Sequence, residues 1–129
     1  RFQWLGEVDK PTIQQLMRRS RAMVISSIME GGANVVSEAC RAGLPVIASD
    51  ISGNIGLLGD DYPGYFSVGD ETDLAGVLQR AEQFPEFLEE LAERVAHLAS
   101  RFTPETEQAA LLAAIDRAVA DRARLSREA

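Results

Sequence analysis

The sequence predicts an α/β fold in which a doubly wound parallel sheet is followed by extra C-terminal helices. Two apolar runs, residues 22–25 and 44–48, flank a segment with the start and stop signals of a helix. Strands that alternate with helices indicate parallel pairing, because a crossover helix returns the chain to the same end of the sheet. A length of 129 residues fits one domain with a single core, so we expect one domain over residues 1–129.

Local signals define the first elements. Residues 2–5 are apolar except for Gln3 and are followed by Gly6, which predicts a short buried strand. Pro11 suits the first turn of a helix, and apolar residues at helical spacing extend that helix to about residues 19–21. The apolar run at residues 22–25 is the next predicted strand.

The central helix is bounded by capping residues. Asn34 is a candidate N-cap, because its side-chain oxygen can accept a backbone N–H that has no partner within the helix. Gly43 suits the left-handed position after the last turn, so we expect the helix to end at Ala42. The strand at residues 44–49 carries Pro45 near its start, where a missing N–H is tolerated.

The second half is expected to be mostly helical. Residues 50–64 are rich in glycine and aspartate, which predicts a loop region with one short helical turn at residues 54–58. A short strand is expected at residues 65–68. Helices should then cover residues 71–83, 85–100 and 104–124, the last with Thr103 as its N-cap.

Composition excludes several classes of protein. The formal net charge is −7, and the acidic excess lies after residue 50, which argues against a nucleic-acid surface. The longest apolar stretches are too short to cross a membrane. Cys40 is the single cysteine and has no internal disulfide partner, so we expect a reduced, cytoplasmic setting. The chain starts at Arg1 and enters a predicted strand almost at once, so we expect a fragment of a larger protein.

The most informative block lies between the two central strands. Glu30 and Glu38 are eight positions apart, and Gly31 and Gly32 follow the first of them. A glycine loop that leads into a helix N-terminus presents backbone N–H groups, here those of residues 34–36, to an anion such as phosphate. Carboxylates bind vicinal hydroxyls well. The alternatives are a plain tight turn and two solvent-facing carboxylates.

Other polar groups are weaker candidates. Ser52, Gly53 and Asn54 follow the second central strand and are either ligand contacts or an ordinary loop. Asp60 and Asp61 lack a third ligand at metal-binding spacing, and His97 is expected to be structural. The basic residues of the first half either attract an anionic ligand or lie on solvated helix faces. They are Arg18, Arg19, Arg21 and Arg41.

The block from Ser26 to Ser49 resembles a known family. Glu30-Gly31-Gly32, Glu38-Ala39 and Gly43-Leu44-Pro45-Val46-Ile47 match the E-x7-E, helix and G-x-P-V pattern of the C-terminal donor-binding domain of retaining GT-B glycosyltransferases, group 1 (family 4). Trp4-Leu5-Gly6-Glu7-Val8 resembles the family's "f-l-G-x-v" strand. The resemblance covers about residues 2–80 and implies a Rossmann-like half of a GT-B fold.

The resemblance implies roles for individual residues. Glu30 would contact the donor sugar near its reacting carbon, as the catalytic residue, while Gly31 and Gly32 let the donor approach the backbone. Glu38 would hold the ribose hydroxyls. The remaining donor-binding residues implied are Asn34, Val35 and Val36 at the phosphates and Val8 and Asp9 near the nucleobase.

The resemblance also implies how the protein works. The donor would be a nucleotide-diphosphate sugar, expected to be a UDP-sugar, and no metal or other cofactor would be required. The family's diphosphate-gripping basic pair and its N-terminal acceptor domain lie upstream of Phe2, so this piece alone is expected to be inactive. Residues 30–36 together with residues 53–66 resemble the selenosugar synthase branch. The alternatives are a GT-B sugar-nucleotide epimerase and a non-catalytic doubly wound binding domain.

Overall fold

The computed structural model of the protein describes residues 2–29 and 34–128. The chain divides into two compact units, Arg1–Ala99 and Ser100–Ala129. The first unit holds the sheet and most of the helices, and the second consists mainly of one long helix. A single domain over residues 1–129 remains a prediction.

Helices and strands alternate along the first unit. The described elements, in chain order, are α1 (Lys10–Arg19), β1 (Met23–Ile25), α2 (Asn34–Arg41), β2 (Val46–Ser49), α3 (Ser52–Leu58), β3 (Tyr65–Phe66), α4 (Glu71–Gln83) and α5 (Pro85–Leu98). A short 3-10 turn, Ala99–Phe102, follows α5, and α6 (Pro104–Glu128) forms the rest.

The described sheet is three-stranded, parallel and open, with the order β1-β2-β3. Met23 pairs with Val46 at one end of the register, and Ser49 pairs with Phe66 at the other. Helices α2 and α5 both contact β2, and α4 contacts β3 and α5. The predicted α/β class with a parallel sheet and additional C-terminal helices is therefore confirmed.

The end of α2 shows why this helix stops where it does. Gly43 adopts a φ of 69°, and its N–H bonds to the carbonyl of Cys40 while the Leu44 N–H bonds to that of Ala39. This pair of bonds is the Schellman arrangement, which only a residue tolerant of positive φ completes without strain. The predicted role of Gly43 is confirmed. Asn34, the predicted N-cap, is instead the first residue of the helix.

Strand β2 is the centre of the core, since all its residues are fully buried. At its amino end the Tyr62 hydroxyl donates to the Val46 carbonyl at 2.5 Å and accepts the Val46 N–H at 3.2 Å. Gly64 lies so close that a Cβ there would be 2.5 Å from the Val46 oxygen. The hydroxyl thus completes the backbone hydrogen bonding of Val46 beyond the end of β3.

The predicted strand at residues 2–5 is wrong. Phe2 and Trp4 are 87% and 82% exposed, and the segment belongs to no strand of the described sheet. A strand needs a hydrogen-bonded neighbour, and the described pairings of β1 and β2 leave these residues without one. Their apolar side chains therefore lie on the surface.

The helical second half follows its capping signals. Asp70 accepts the Asp73 N–H at 2.9 Å, and α4 has the predicted bounds of residues 71–83. Thr103 accepts the Thr106 N–H at 3.1 Å at the start of α6, as predicted. Helix α6 has no buried residue, and among the described residues no helix is long and apolar enough to cross a membrane.

Candidate functional site

The candidate site lies where β1 and β2 end. Both strands run in the same direction, so the loops that follow Ile25 and Ser49 leave the same edge of the sheet. Helix α2 begins at this edge with Asn34. In open parallel sheets ligands bind at this edge, where loops and helix N-termini are accessible.

Solvent exposure decreases along the first turn of α2. Asn34 is exposed, Val35 is half-buried and Val36 has no exposed surface. Val35 lines an open apolar cleft of about 180 Å³ beside α1. The exposed part of this helix start is therefore Asn34 with part of Val35, where first-turn N–H groups have no acceptor within the helix.

Glu38 lies in the second turn of α2 and is half-buried. Its backbone carbonyl accepts the Ala42 N–H at 3.0 Å in the helix. The carboxylate therefore stands on the same short helix as Asn34, one turn further from the edge. The predicted residues Glu30, Gly31 and Gly32 lie outside the described residues.

Val8 and Asp9, predicted near the nucleobase, lie directly before α1. Val8 is half-buried, and the Asp9 carboxylate caps α1 by accepting the Thr12 N–H at 3.0 Å and the Thr12 hydroxyl. The Thr12 hydroxyl, with the backbone N–H, holds the pKa of Asp9 below its ordinary value. Asp9 is therefore a charged helix cap, a local role that the sequence analysis did not assign.

The loop after β2 is held by buried hydrogen bonds. Ser49 Oγ donates to the Ser27 carbonyl at 2.7 Å, and Asn54 Nδ2 donates to the Ser49 carbonyl at 2.9 Å and to Ser49 Oγ at 3.2 Å. Asn54 has no exposed surface. Asn54, considered above as a ligand contact, is thus an internal residue in this structure. Ser52 and Gly53 lie in the first turn of α3 and retain exposed surface.

Two carboxylates near the edge bind backbone groups of the loop after β3. Asp50 accepts the Val68 N–H at 2.9 Å, and Asp73 accepts the Ser67 N–H at 2.6 Å. Sequence reasoning missed both contacts, because they join residues whose proximity depends on the tertiary fold. They fix the loop between β3 and α4 beside the candidate site.

The arginines of the first half lie mostly away from this edge. Arg18 and Arg41 stand in the last turns of α1 and α2 and line one cleft of about 230 Å³. Helix α2 starts at the carboxyl edge, so its last turn is at the opposite end. Cationic side chains there complement the helix dipole. The structure therefore favours a helix-end role for them over a donor-binding one.

Cys40 is fully buried in α2, which confirms it as a small core residue, and burial raises the pKa of its thiol to about 11. Asp61 forms an ion pair with Arg94 at 2.9 Å. Within residues 2–29 and 34–128, no group of three His, Cys, Asp or Glu side chains has metal-binding geometry.

Comparison with known proteins identifies the family. The family model described as "Glycosyl transferases group 1" matches residues 1–98, which include the whole sheet and the candidate site. No curated protein matches the chain significantly. The match covers well over half of the sequence, and the parallel sheet agrees with it. The chain therefore belongs to the group 1 glycosyltransferases.

Proposed function

We propose that this domain binds the donor of a glycosyl transfer reaction, a UDP-sugar, and that transfer occurs with retention at the anomeric carbon. The observation that carries the proposal is the start of α2 at the carboxyl edge of a parallel sheet, within the range that matches the family. This edge is where a doubly wound fold binds nucleotides. The family supplies the reaction class, and the edge supplies the site.

The donor's diphosphate binds at the first turn of α2. Backbone N–H groups of Asn34, Val35 and Val36 lie in this turn, where the helix dipole adds partial positive charge. When the bond between the anomeric carbon and the diphosphate oxygen breaks, negative charge develops on that oxygen. Fixed dipoles at a helix start stabilise such charge without reorganising.

The sugar and the nucleoside bind on either side of the diphosphate. Glu38, one turn into α2, accepts hydrogen bonds from the ribose hydroxyls, and its half-buried position keeps the carboxylate within reach of solvent and ligand. Glu30 contacts the hydroxyls of the donor sugar, and Gly31 and Gly32 admit it. Val8 and Asp9 lie beside the base.

Several finer assignments belong to the same proposal. The reaction needs no resident metal, the acceptor is bound by an N-terminal domain of the same protein, and the protein works in the cytoplasm. The acceptor chemistry is that of the selenosugar synthase branch, which joins a UDP-sugar to selenophosphate. The charged side chains described at the edge include the exposed carboxylates of Asp50 and Glu71, so donor binding by the 129-residue chain alone should be weak.

Nucleotide titration tests the proposal. UDP, a UDP-hexose and GDP are titrated separately into the ¹⁵N-labelled 129-residue protein, with and without EDTA, and amide chemical shifts are followed. The proposal predicts saturable shifts at Asn34 and Val35 with UDP and the UDP-hexose, weaker shifts with GDP and no effect of EDTA. The proposal is wrong if UDP fails to bind, even to a longer protein that includes the upstream residues.

The two alternatives give different outcomes in related assays. An epimerase would convert a UDP-sugar to its epimer without any acceptor, which proton spectra of the sugar would show directly. A non-catalytic binding domain would bind the nucleotide and leave the UDP-sugar intact when the full-length protein and an acceptor are supplied.

A further inference from the structure

We propose that Ser49 and Asn54 are positioning residues that hold the loop after β1 in place for donor binding. This inference rests on the proposed function and deepens it, because neither side chain touches the donor. Both residues are fully buried behind the candidate site. They act through the backbone of Ser27, in the loop that joins β1 to α2.

The first link is the bond between Ser49 and Ser27. Ser49 is the last residue of β2, and its Oγ donates to the Ser27 carbonyl at 2.7 Å. The two residues are 22 positions apart in the chain, so the bond joins the end of one strand to the loop that leaves its neighbour. Because Ser49 is fully buried, water does not compete for its hydroxyl.

The second link fixes the direction of that bond. Asn54 Nδ2 donates one hydrogen to the Ser49 carbonyl and approaches Ser49 Oγ at 3.2 Å. Since the amide donates to Ser49 Oγ, the Ser49 hydroxyl hydrogen is directed to Ser27. Rotating the amide by 180° would place Oδ1 against the Ser49 carbonyl oxygen, so the observed orientation is the favourable one.

An unsatisfied atom indicates that this arrangement has a purpose beyond packing. Asn54 Oδ1 is buried and has no hydrogen-bond partner among the residues that the structure describes. A buried acceptor without a partner is costly, and an apolar side chain of the same shape would avoid that cost. The two amide hydrogens hold Ser49, which explains why an amide stands at this position. The Tyr65 hydroxyl contacts the same helix, α3, by donating to the Gly59 carbonyl at 2.8 Å and approaching the Asn54 carbonyl at 3.4 Å.

The described part of the loop after β1, residues 26–29, needs this anchor, because its side chains supply little packing. Ile28 and Met29 are 79% and 87% exposed, and Ser26 is exposed as well. Apolar side chains in solvent do not restrain a backbone. Ser27 is half-buried, and its carbonyl is the point at which the end of β2 holds the loop. The loop leads to the start of α2, where the diphosphate is proposed to bind.

Comparison of Ser49→Ala with Tyr62→Phe tests the proposal in the full 129-residue chain. Both variants lose hydrogen bonds of a β2 residue, but Tyr62 acts at the opposite end of the strand. UDP affinity is measured by chemical-shift titration, amide hydrogen exchange is measured at residues 26–29, and unfolding is followed in urea. Asn54→Asp, which keeps the shape but loses both amide hydrogens, is the second variant.

We expect the variants at the two ends of β2 to affect different quantities. Ser49→Ala should weaken UDP binding by about fivefold, the worth of one hydrogen bond, and accelerate exchange at residues 26–29. Tyr62→Phe should leave both quantities unchanged while lowering stability. Asn54→Asp should reproduce the binding and exchange effects of Ser49→Ala, and Ser49→Cys, a weak donor, should fall between Ser49→Ala and the wild type.

Three outcomes would overturn the proposal, and they are distinguishable. If the wild type binds UDP and Ser49→Ala matches it in affinity and in exchange, the positioning role is wrong and the proposed function stands. If both Ser49→Ala and Tyr62→Phe weaken UDP binding in proportion to their loss of stability, the two serve only the fold. If the wild type itself binds no UDP, the proposed function fails and this inference fails with it.

Discussion

The two ends of β2 differ in how completely the buried polar groups around them are hydrogen-bonded. At the amino end, Tyr62 supplies both a donor and an acceptor to Val46, and Gly64 packs against the same carbonyl. At the carboxyl end, Ser49 is held by Asn54, but within residues 2–29 and 34–128 no group donates to Asn54 Oδ1. We call the amino end of β2, around Val46, the closed end and the carboxyl end, around Ser49, the open end. The closed end stabilises the fold, and the open end bears the candidate site. Changes at the closed end should therefore cost stability without directly affecting ligand binding.

Gly64→Ala should have the largest effect on stability. Its Cβ would lie 2.5 Å from the Val46 oxygen and 2.6 Å from Tyr62 Cε1, so the backbone must shift at the most buried strand. We expect a loss of about 3 kcal/mol in the free energy of unfolding in urea, typical of overpacking a rigid core. Gly76→Ala is the control, because that helical glycine has open space around it, and it should stabilise α4 by about 0.5–1 kcal/mol. Equal effects of the two substitutions would contradict the account.

Tyr62→Phe should have the next largest effect. It keeps the ring but leaves the buried Val46 N–H and carbonyl without the hydroxyl. We expect a loss of about 1–3 kcal/mol in urea unfolding. Tyr65→Phe is the matched control and should cost less, since the Tyr65 hydroxyl is only partly buried. A Tyr62→Phe protein as stable as the wild type would show that the closed end does not depend on this hydroxyl.

Cys40 should make the fold sensitive to alkali. Its thiol has an ordinary pKa of 9.0 and a folded pKa raised to about 11 by burial, so the unfolded chain releases this proton at lower pH. Between these values the unfolded state binds fewer protons, and stability falls as pH rises. Cys40→Ala should reduce the loss between pH 8 and 11 by about 2 kcal/mol.

Urea unfolding of both proteins across that pH range measures this difference. The loss of stability that remains in Cys40→Ala should begin at a higher pH, because burial also raises the pKa of Tyr62 above its ordinary value of 10.0. Parallel curves for the wild type and the variant would contradict the assignment.

Asp61→Asn should have the smallest effect. Its ion pair with Arg94 is solvent-exposed, with side-chain exposures of 81% and 42%. The guanidinium lowers the pKa of Asp61, but exposed pairs of this kind add little to stability. We expect an unchanged urea midpoint at neutral pH. A clear loss that disappears in high salt would show that this pair matters more than its exposure suggests.

The sequence predicted the elements whose signals are local. Helix α4 begins at a capping Asp70 and has the predicted bounds, and Gly43 ends α2 as expected from its tolerance of positive φ. Strand β2 was predicted because its apolar run is continuous, as in buried parallel strands. Each of these signals lies within a few residues of the element that it defines.

The sequence did not predict features that depend on distant partners. Residues 2–5 have the composition of a strand, but composition does not reveal whether a neighbouring strand is present. The Tyr62 contact with Val46 joins residues 16 positions apart, and the Ser49 contact with Ser27 joins residues 22 positions apart. Neither spacing has a sequence signature. The network that anchors the site therefore emerged only from the structure.

The most direct test of the account is the UDP affinity of Glu38→Ala. The control is Glu89→Ala, which removes the same charge from an exposed position on α5. If Glu38 binds the ribose hydroxyls, its loss should weaken UDP binding by about tenfold or more, the worth of a charge-assisted hydrogen bond, while Glu89→Ala matches the wild type. Equal affinities for Glu38→Ala, Glu89→Ala and the wild type would contradict the proposed donor site.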